Sequence, residues 1–156
     1  MTNSKKKQKS VLFICELNVI RSPIAEFYLK SLIKNSAILI DSCGFKISNK
    51  DYFTSQVMTE VGINIDKHNP KSISQVQLSN FNFIISFSKE IYDHLMTIVK
   101  TKSTKLYLLD VPIPSLIEKS REQKLFLYRK IRDDIITEIK EDNIDFFNKY
   151  LDLYSI

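Results

Sequence analysis

The chain is poor in cysteine, in glycine and in long apolar runs. Cys15 and Cys43 are its only cysteines. Two thiols are too few for a disulfide framework and fit a reducing compartment, so the expected location is the cytoplasm. The basic start is followed by only five apolar residues, Val11 to Cys15. That is too short for the h-region of a secretory signal, and no run elsewhere approaches the length of a membrane span. Residues 1–10 carry four lysines and no acid, and removing those charges from the net +5 leaves +1 for the rest. The high isoelectric point thus comes from a basic, flexible tail over residues 1–9 and not from a basic binding face, which argues against a nucleic-acid protein. No cluster of metal-ligand residues stands out, and the chemistry read below needs no metal and no cofactor.

What is present is concentrated in one stretch. Val11-Leu12-Phe13-Ile14 is a continuous apolar run of strand type that ends at Cys15. Arg21 follows six residues after the cysteine, and Ser22-Pro23 then opens a helical pattern. A strand, a short loop and a helix start in that order make an anion site. Backbone N–H groups of the loop point into a concavity, and the helix N-terminus adds the positive end of its dipole. Arg21 offers a planar, bidentate fork suited to a tetrahedral oxyanion such as phosphate. Cys15 lies at the floor, where the dipole and Arg21 favour the thiolate, the nucleophilic form. The expected substrate-binding residues are the loop itself, Glu16, Leu17, Asn18, Val19 and Ile20, with Arg21 and Ser22. A thiolate beneath a bound phosphate is the arrangement for a phosphocysteine intermediate.

The pattern C-x-x-N-x-x-R-S-P directly after an apolar run resembles the low-molecular-weight protein tyrosine phosphatase family, which includes a branch of arsenate reductases. The resemblance covers about residues 10–140. It implies Cys15 as nucleophile and Arg21 as phosphate clamp. Asn18 would hold the strained, left-handed loop position, and Ser22 would donate a hydrogen bond that favours the thiolate. Asp41-Ser42-Cys43-Gly44 resembles the family's D-S-A-G segment, which implies that Ser42 bonds the strained Asn18. Ile63 to Lys71 resembles G-I-D-x-x-x-H-x-P-K, which gives His68 a supporting role behind the loop. Two departures are visible. Leu17 stands where the family often has glycine, and neither Gly44 nor Gly62 lies in the loop. Glycine is the usual residue where backbone approaches a ligand closely, whereas asparagine tolerates the left-handed region better than most. Cys43 replaces a small residue and reads either as a buried small hydrophobe or as a redox partner for Cys15.

The rest of the chain alternates strands with helices, which means βαβ units: a single α/β domain with a four-stranded parallel sheet, helices on both faces and the phosphate loop after the first strand. The strands fall at residues 10–15, 37–40, 81–87 and 105–109. Helices are expected from Ser22, as cap with Pro23 at the first position, to about Lys34; over 51–61, stopped by Gly62; from Ser88 to about Val99; and from Glu118 onward. Residues 10–156 form the domain. Its last segment, 141–156, carries Ile144, Phe146, Phe147, Tyr150 and Leu151 and is an extra helical end beyond the resemblance.

One catalytic part is out of place. Hydrolysis of a phosphate ester needs a proton for the leaving oxygen. The resembling family takes it from an aspartate followed by proline after the fourth strand. Here that loop reads Leu109-Asp110-Val111-Pro112-Ile113-Pro114, and the acid position falls on Ile113. Asp110, three residues earlier, is either the substitute acid or a turn residue at the strand end. The expected function is a cysteine-dependent phosphomonoesterase acting on a phosphorylated protein or a small phosphomonoester, slowed if the acid is lost. A non-catalytic phosphate- or phosphoprotein-binding relative and an arsenate reductase are the competing readings.

Overall fold

A computed structural model of the chain describes residues 9–33 and 38–140. The apolar run before Cys15 is strand β1, Lys9–Cys15, so the strand also takes in Lys9 from the basic start. Burial is complete from Ser10 to Cys15, which explains the unbroken apolar run: both faces of this strand are covered. Strands β2 (Ile38–Gly44), β3 (Phe83–Ser86) and β4 (Lys105–Leu108) complete one sheet in the order β2-β1-β3-β4, with every pairing parallel.

Successive residues of β1 feed different cores. Val11, Phe13 and Cys15 join Ile85, Ile24, Val57, Ile131 and Ile135 on one face. Leu12 and Ile14 join Cys43, Ile84, Ile91 and Leu95 on the other. The first face is covered by helices α1 (Arg21–Leu32), α2 (Tyr52–Glu60) and α4 (Arg121–Lys140), the second by α3 (Lys89–Ile98). Leu12, Phe13 and Ile14 are wholly buried, each contributing about 1.5–3 kcal/mol.

Local chemistry fixes most ends. The Asp51 carboxylate accepts from Phe53 N at 2.8 Å and caps α2. Gly62 follows that helix with φ +78°, a conformation that favours glycine. Ser88 caps α3 by accepting from Ile91 N at 3.2 Å. Two expectations shift. The strand expected at 37–40 runs on through Asp41, Ser42 and Cys43 to Gly44, because each of these pairs with β1 out to its last residue. Helix α1 begins at Arg21, and Ser22 is not its cap; no side chain caps this helix. Residues 73–75 and 78–80 add single 3₁₀ turns that periodicity did not reveal.

Helix α4 is clamped to α2. Glu60 takes Arg129 at 2.7 Å and Arg132 at 2.9 Å, and Arg132 also donates to the Val57 carbonyl at 2.8 Å. The Tyr128 hydroxyl donates to the Asp51 carboxylate. The helical segment expected beyond Lys140 lies outside the described residues.

Candidate active site

The loop Glu16–Ile20 leaves the carboxyl end of β1 and enters α1, and its carbonyls turn outward. Cys15 O accepts from Phe45 N at 3.1 Å, Glu16 O from Lys46 N at 2.9 Å, and Ile20 O from Ile24 N at 3.1 Å. The Asn18 carbonyl accepts from His68 Nε2 at 2.8 Å, so that nitrogen carries the proton. Among the described residues, none of the backbone amides from Glu16 to Ser22 donates to a protein acceptor. Unpaired donors converging on one concavity form an anion cradle at the positive end of a helix. The absent cap of α1 has its reason here: the first-turn donors are left free for a ligand.

Asn18 has φ 58° and is fully buried. Its side chain uses all of its main capacity. Nδ2 donates to Ser22 Oγ at 2.9 Å and to Ser42 Oγ at 2.8 Å, and Oδ1 accepts from Lys71 N at 3.1 Å. Ser42 Oγ donates in turn to Glu26 Oε1 at 2.6 Å. Ser22 Oγ lies 2.9 Å from Cys15 Sγ. Ser22 accepts from Asn18, which leaves its own proton for the sulfur or for the Cys43 carbonyl at 3.5 Å.

Gly44 is packed against the backbone of the loop. A Cβ there would lie 2.7 Å from Asn18 N and 2.7 Å from Leu17 C, so β2 packs its backbone directly against the loop. The glycine at this close approach lies in the neighbouring strand, where any Cβ would meet loop backbone.

Arg21 is 7% exposed. Its Nη1 donates to Phe87 O at 3.1 Å and Val111 O at 2.9 Å, both just past the ends of β3 and β4. Its Nε is buried and has no acceptor. A buried guanidinium held only by carbonyls is an uncompensated charge, costly until an anion arrives.

Cys43 lies on the opposite side of the sheet from Cys15. It pairs in register with Ile14 and shares that residue's core under α3. Neighbouring strand residues one step out of phase project from opposite faces, which forbids a disulfide without backbone movement. Burial, with Asp41 and Cys15 nearby, pushes the Cys43 thiol up to about 12. It is a buried hydrophobe, and the redox-partner alternative has no geometry behind it.

Asp110 is exposed and adjoins Val111, whose carbonyl accepts from Arg21. Burial alternates along the loop after β4: Leu109 and Val111 are buried, while Asp110, Pro112 and Pro114 are exposed. Ile113 falls on the inward side with Leu109 and Val111, in the core that includes Cys15, Ile20 and Val19. The residue missed from the sequence is Glu26, 4% exposed, which holds Ser42 and pairs with Lys30 at 2.6 Å. Its position four residues after Ser22, on the same face of α1, was the available signal.

A sheet ordered β2-β1-β3-β4 with a thiol and an arginine framing an amide cradle defines a cysteine-based phosphate-loop protein. The family model for low molecular weight phosphotyrosine protein phosphatases matches residues 10–141, and the chain belongs to that family. It is 31% identical over 117 residues to the low molecular weight phosphotyrosine protein phosphatase of Pongo abelii, covering 68% of this chain and 73% of that protein. It is 30% identical over 103 residues to the Bacillus subtilis low molecular weight protein-tyrosine-phosphatase YfkJ, covering 61% of this chain and 66% of the other. A glutaredoxin arsenate reductase from Synechocystis is 32% identical over 78 residues, 50% of this chain and 59% of that protein. The chain thus spans about three fifths to two thirds of these last two relatives. Among solved structures, the Streptococcus pyogenes low molecular weight protein tyrosine phosphatase superposes with TM-score 0.62 at 26% identity, over 83% of this chain and 92% of that one. The Escherichia coli K30 tyrosine phosphatase Wzb in complex with sulphate shares the fold, with TM-score 0.67 at 21% identity over 87% and 99%.

Proposed function

We propose that this protein is a cysteine-dependent phosphomonoesterase that works through a phosphocysteine intermediate. The observation that carries the reading is the buried, acceptor-free Nε of Arg21 beside a cradle of unpaired amides. Those donors fit the equatorial oxygens of a phosphoryl group, and their electrostatic contribution is the largest expected in phosphoryl transfer. The Cys15 thiolate attacks phosphorus from the floor of the loop, with Ser22 stabilising the charge before attack and after release. Asn18, Ser42, His68 and Glu26 hold the loop in shape. The substrate is a phosphorylated protein or a small phosphomonoester. With Ile113 turned inward and Asp110 outward, proton delivery is the weak part of the machine, and poor leaving groups are released slowly.

The test is hydrolysis of p-nitrophenyl phosphate by the wild type beside Cys15→Ser. Turnover that disappears in the variant supports the thiol mechanism. Absence of turnover in the wild type, with vanadate still bound, replaces it with a non-catalytic phosphate-binding role.

Arsenate reduction is the second reading, favoured by the match to the Synechocystis arsenate reductase. The same cradle accepts arsenate, which has the shape and charge of phosphate. Cys43 lies on the far side of the sheet, so the thiol that resolves an oxidised Cys15 comes from another molecule. Arsenite release that requires added small-molecule thiol or a dithiol protein is the supporting result.

A further inference from the structure

The carboxylates and imidazole around the loop are accounted for one by one. Glu16 is tied to Lys46 at 3.2 Å, Asp41 to Lys71 at 2.6 Å, and Glu26 to Ser42 and Lys30. Asp51 accepts from Phe53 N and Tyr128, and Asp66 from Ser55 at 3.1 Å. His68 spends Nε2 on the Asn18 carbonyl behind the loop. Asp110 remains, on the outward side of a segment whose inward residues are Leu109, Val111 and Ile113. The carbonyl of Val111 is tied to Arg21 at 2.9 Å, which fixes the backbone of this segment beside the loop. The residues of this segment that pack with the nucleophile's core are apolar, and Ile113, where the family places its acid, has no proton to give.

We propose that the site is built for phosphoryl groups on oxygens that leave as stable anions, acyl phosphates above all, and not for phosphotyrosine. This rests on the phosphomonoesterase reading. The Cys15 thiolate attacks phosphorus and the S–P bond forms. The P–O bond to the carbonyl-bearing oxygen breaks, and its electron pair departs as a carboxylate that needs no proton at neutral pH. Water then attacks the phosphocysteine. The P–S pair returns to Cys15 as thiolate, and the water proton passes to the released phosphate and to solvent. A carboxylate has a pKa of about 4 and a tyrosine phenol of about 10. A missing general acid costs roughly 10²–10⁴ in rate for the phenol and little for the carboxylate. The same lack of a base slows hydrolysis of the phosphocysteine, so the intermediate accumulates.

The experiment is kcat/KM for a series of aryl phosphates from dinitrophenyl to phenyl, alongside acetyl phosphate and O-phosphotyrosine, with a rapid-mixing trace on the most reactive ester. The expected result is a fall of roughly 10²–10⁴ along the series, acetyl phosphate far ahead of phosphotyrosine, and a burst of nitrophenol equal to the enzyme. Ile113→Asp is expected to flatten the series by raising the phenyl end. A flat series in the wild type overturns the proposal, as does a series that steepens in Asp110→Asn, which would make Asp110 the acid. Failure to turn over even the dinitrophenyl ester instead defeats the phosphatase reading itself.

Discussion

The ring nitrogen Nε2 of His68 donates to the carbonyl oxygen of Asn18 at 2.8 Å, across fifty residues of chain. It meets the loop at its one residue with positive φ. His68→Ala leaves that buried carbonyl without a donor, which costs about 1–3 kcal/mol. The expected outcome is a lower Tm and vanadate binding about tenfold weaker, read by calorimetry. Unchanged vanadate affinity would show that the loop holds its shape without the ring.

Gly44→Ala puts a methyl group 2.7 Å from loop backbone at Leu17 and Asn18. Neither neighbour is a flexible side chain, so the strand or the loop must shift. Overpacking of this kind costs about 1–3 kcal/mol. The loss should fall on phosphate binding more than on secondary structure, so far-ultraviolet circular dichroism stays native while vanadate no longer raises Tm. A variant that binds vanadate like the wild type would contradict the close packing.

Cys43 is expected to be inert. Its thiol, pushed up to about 12, stays protonated through the neutral range and is shielded by α3. Brief treatment with iodoacetamide at neutral pH should give one adduct, on Cys15, suppressed by vanadate. Peroxide should yield no Cys15–Cys43 disulfide in peptide mass spectra. Detection of that link would mean that β2 can leave its register.

The α2–α4 clamp carries a pH signature. The hydrogen bond from Arg129, with Arg132 behind it, holds the Glu60 carboxyl below the usual carboxylate range. A carboxyl lowered on folding stabilises the fold above its unfolded value of about 4.3, and that contribution is lost as pH falls through the lower, folded value. Glu60→Gln should lower Tm by a few degrees at pH 7. The difference from wild type should shrink below about pH 4. An equal difference at pH 3 and pH 7 would assign the effect to packing.

Much of this was readable from residue order. The run from Val11 to Cys15 specifies a buried central strand, and the position of Arg21 and Ser22 specifies a turn from that strand directly into a helix. What stayed hidden depends on distance along the chain. Ser22 carries every local sign of a helix cap, yet its hydroxyl is claimed by Cys15 and Asn18, a choice made by tertiary neighbours. Glu26 looks like an ordinary acidic helix residue until Ser42, sixteen positions away, is brought against it. Gly44 has no special place in the local pattern, and its need for a missing side chain emerges only when the loop lies against it. Ile113 packs against the Cys15 core while Asp110 is exposed, and the Arg21–Val111 tie beside them joins residues 90 positions apart, which no local pattern encodes.

That anchor also sets the order in which the molecule can acquire its ligand. Arg21 joins carbonyls 66 and 90 positions further along the chain, so its contacts form only after β3 has docked on β1 and β4 on β3. A nascent or partly unfolded chain has the loop sequence but no site. On the proposed function, phosphate is a ligand of the finished sheet alone and shifts the folding equilibrium by RT ln(1 + [L]/Kd). Ambient phosphate would then act as a conditional chaperone, supplying an anion to a buried guanidinium that otherwise has carbonyls as its partners.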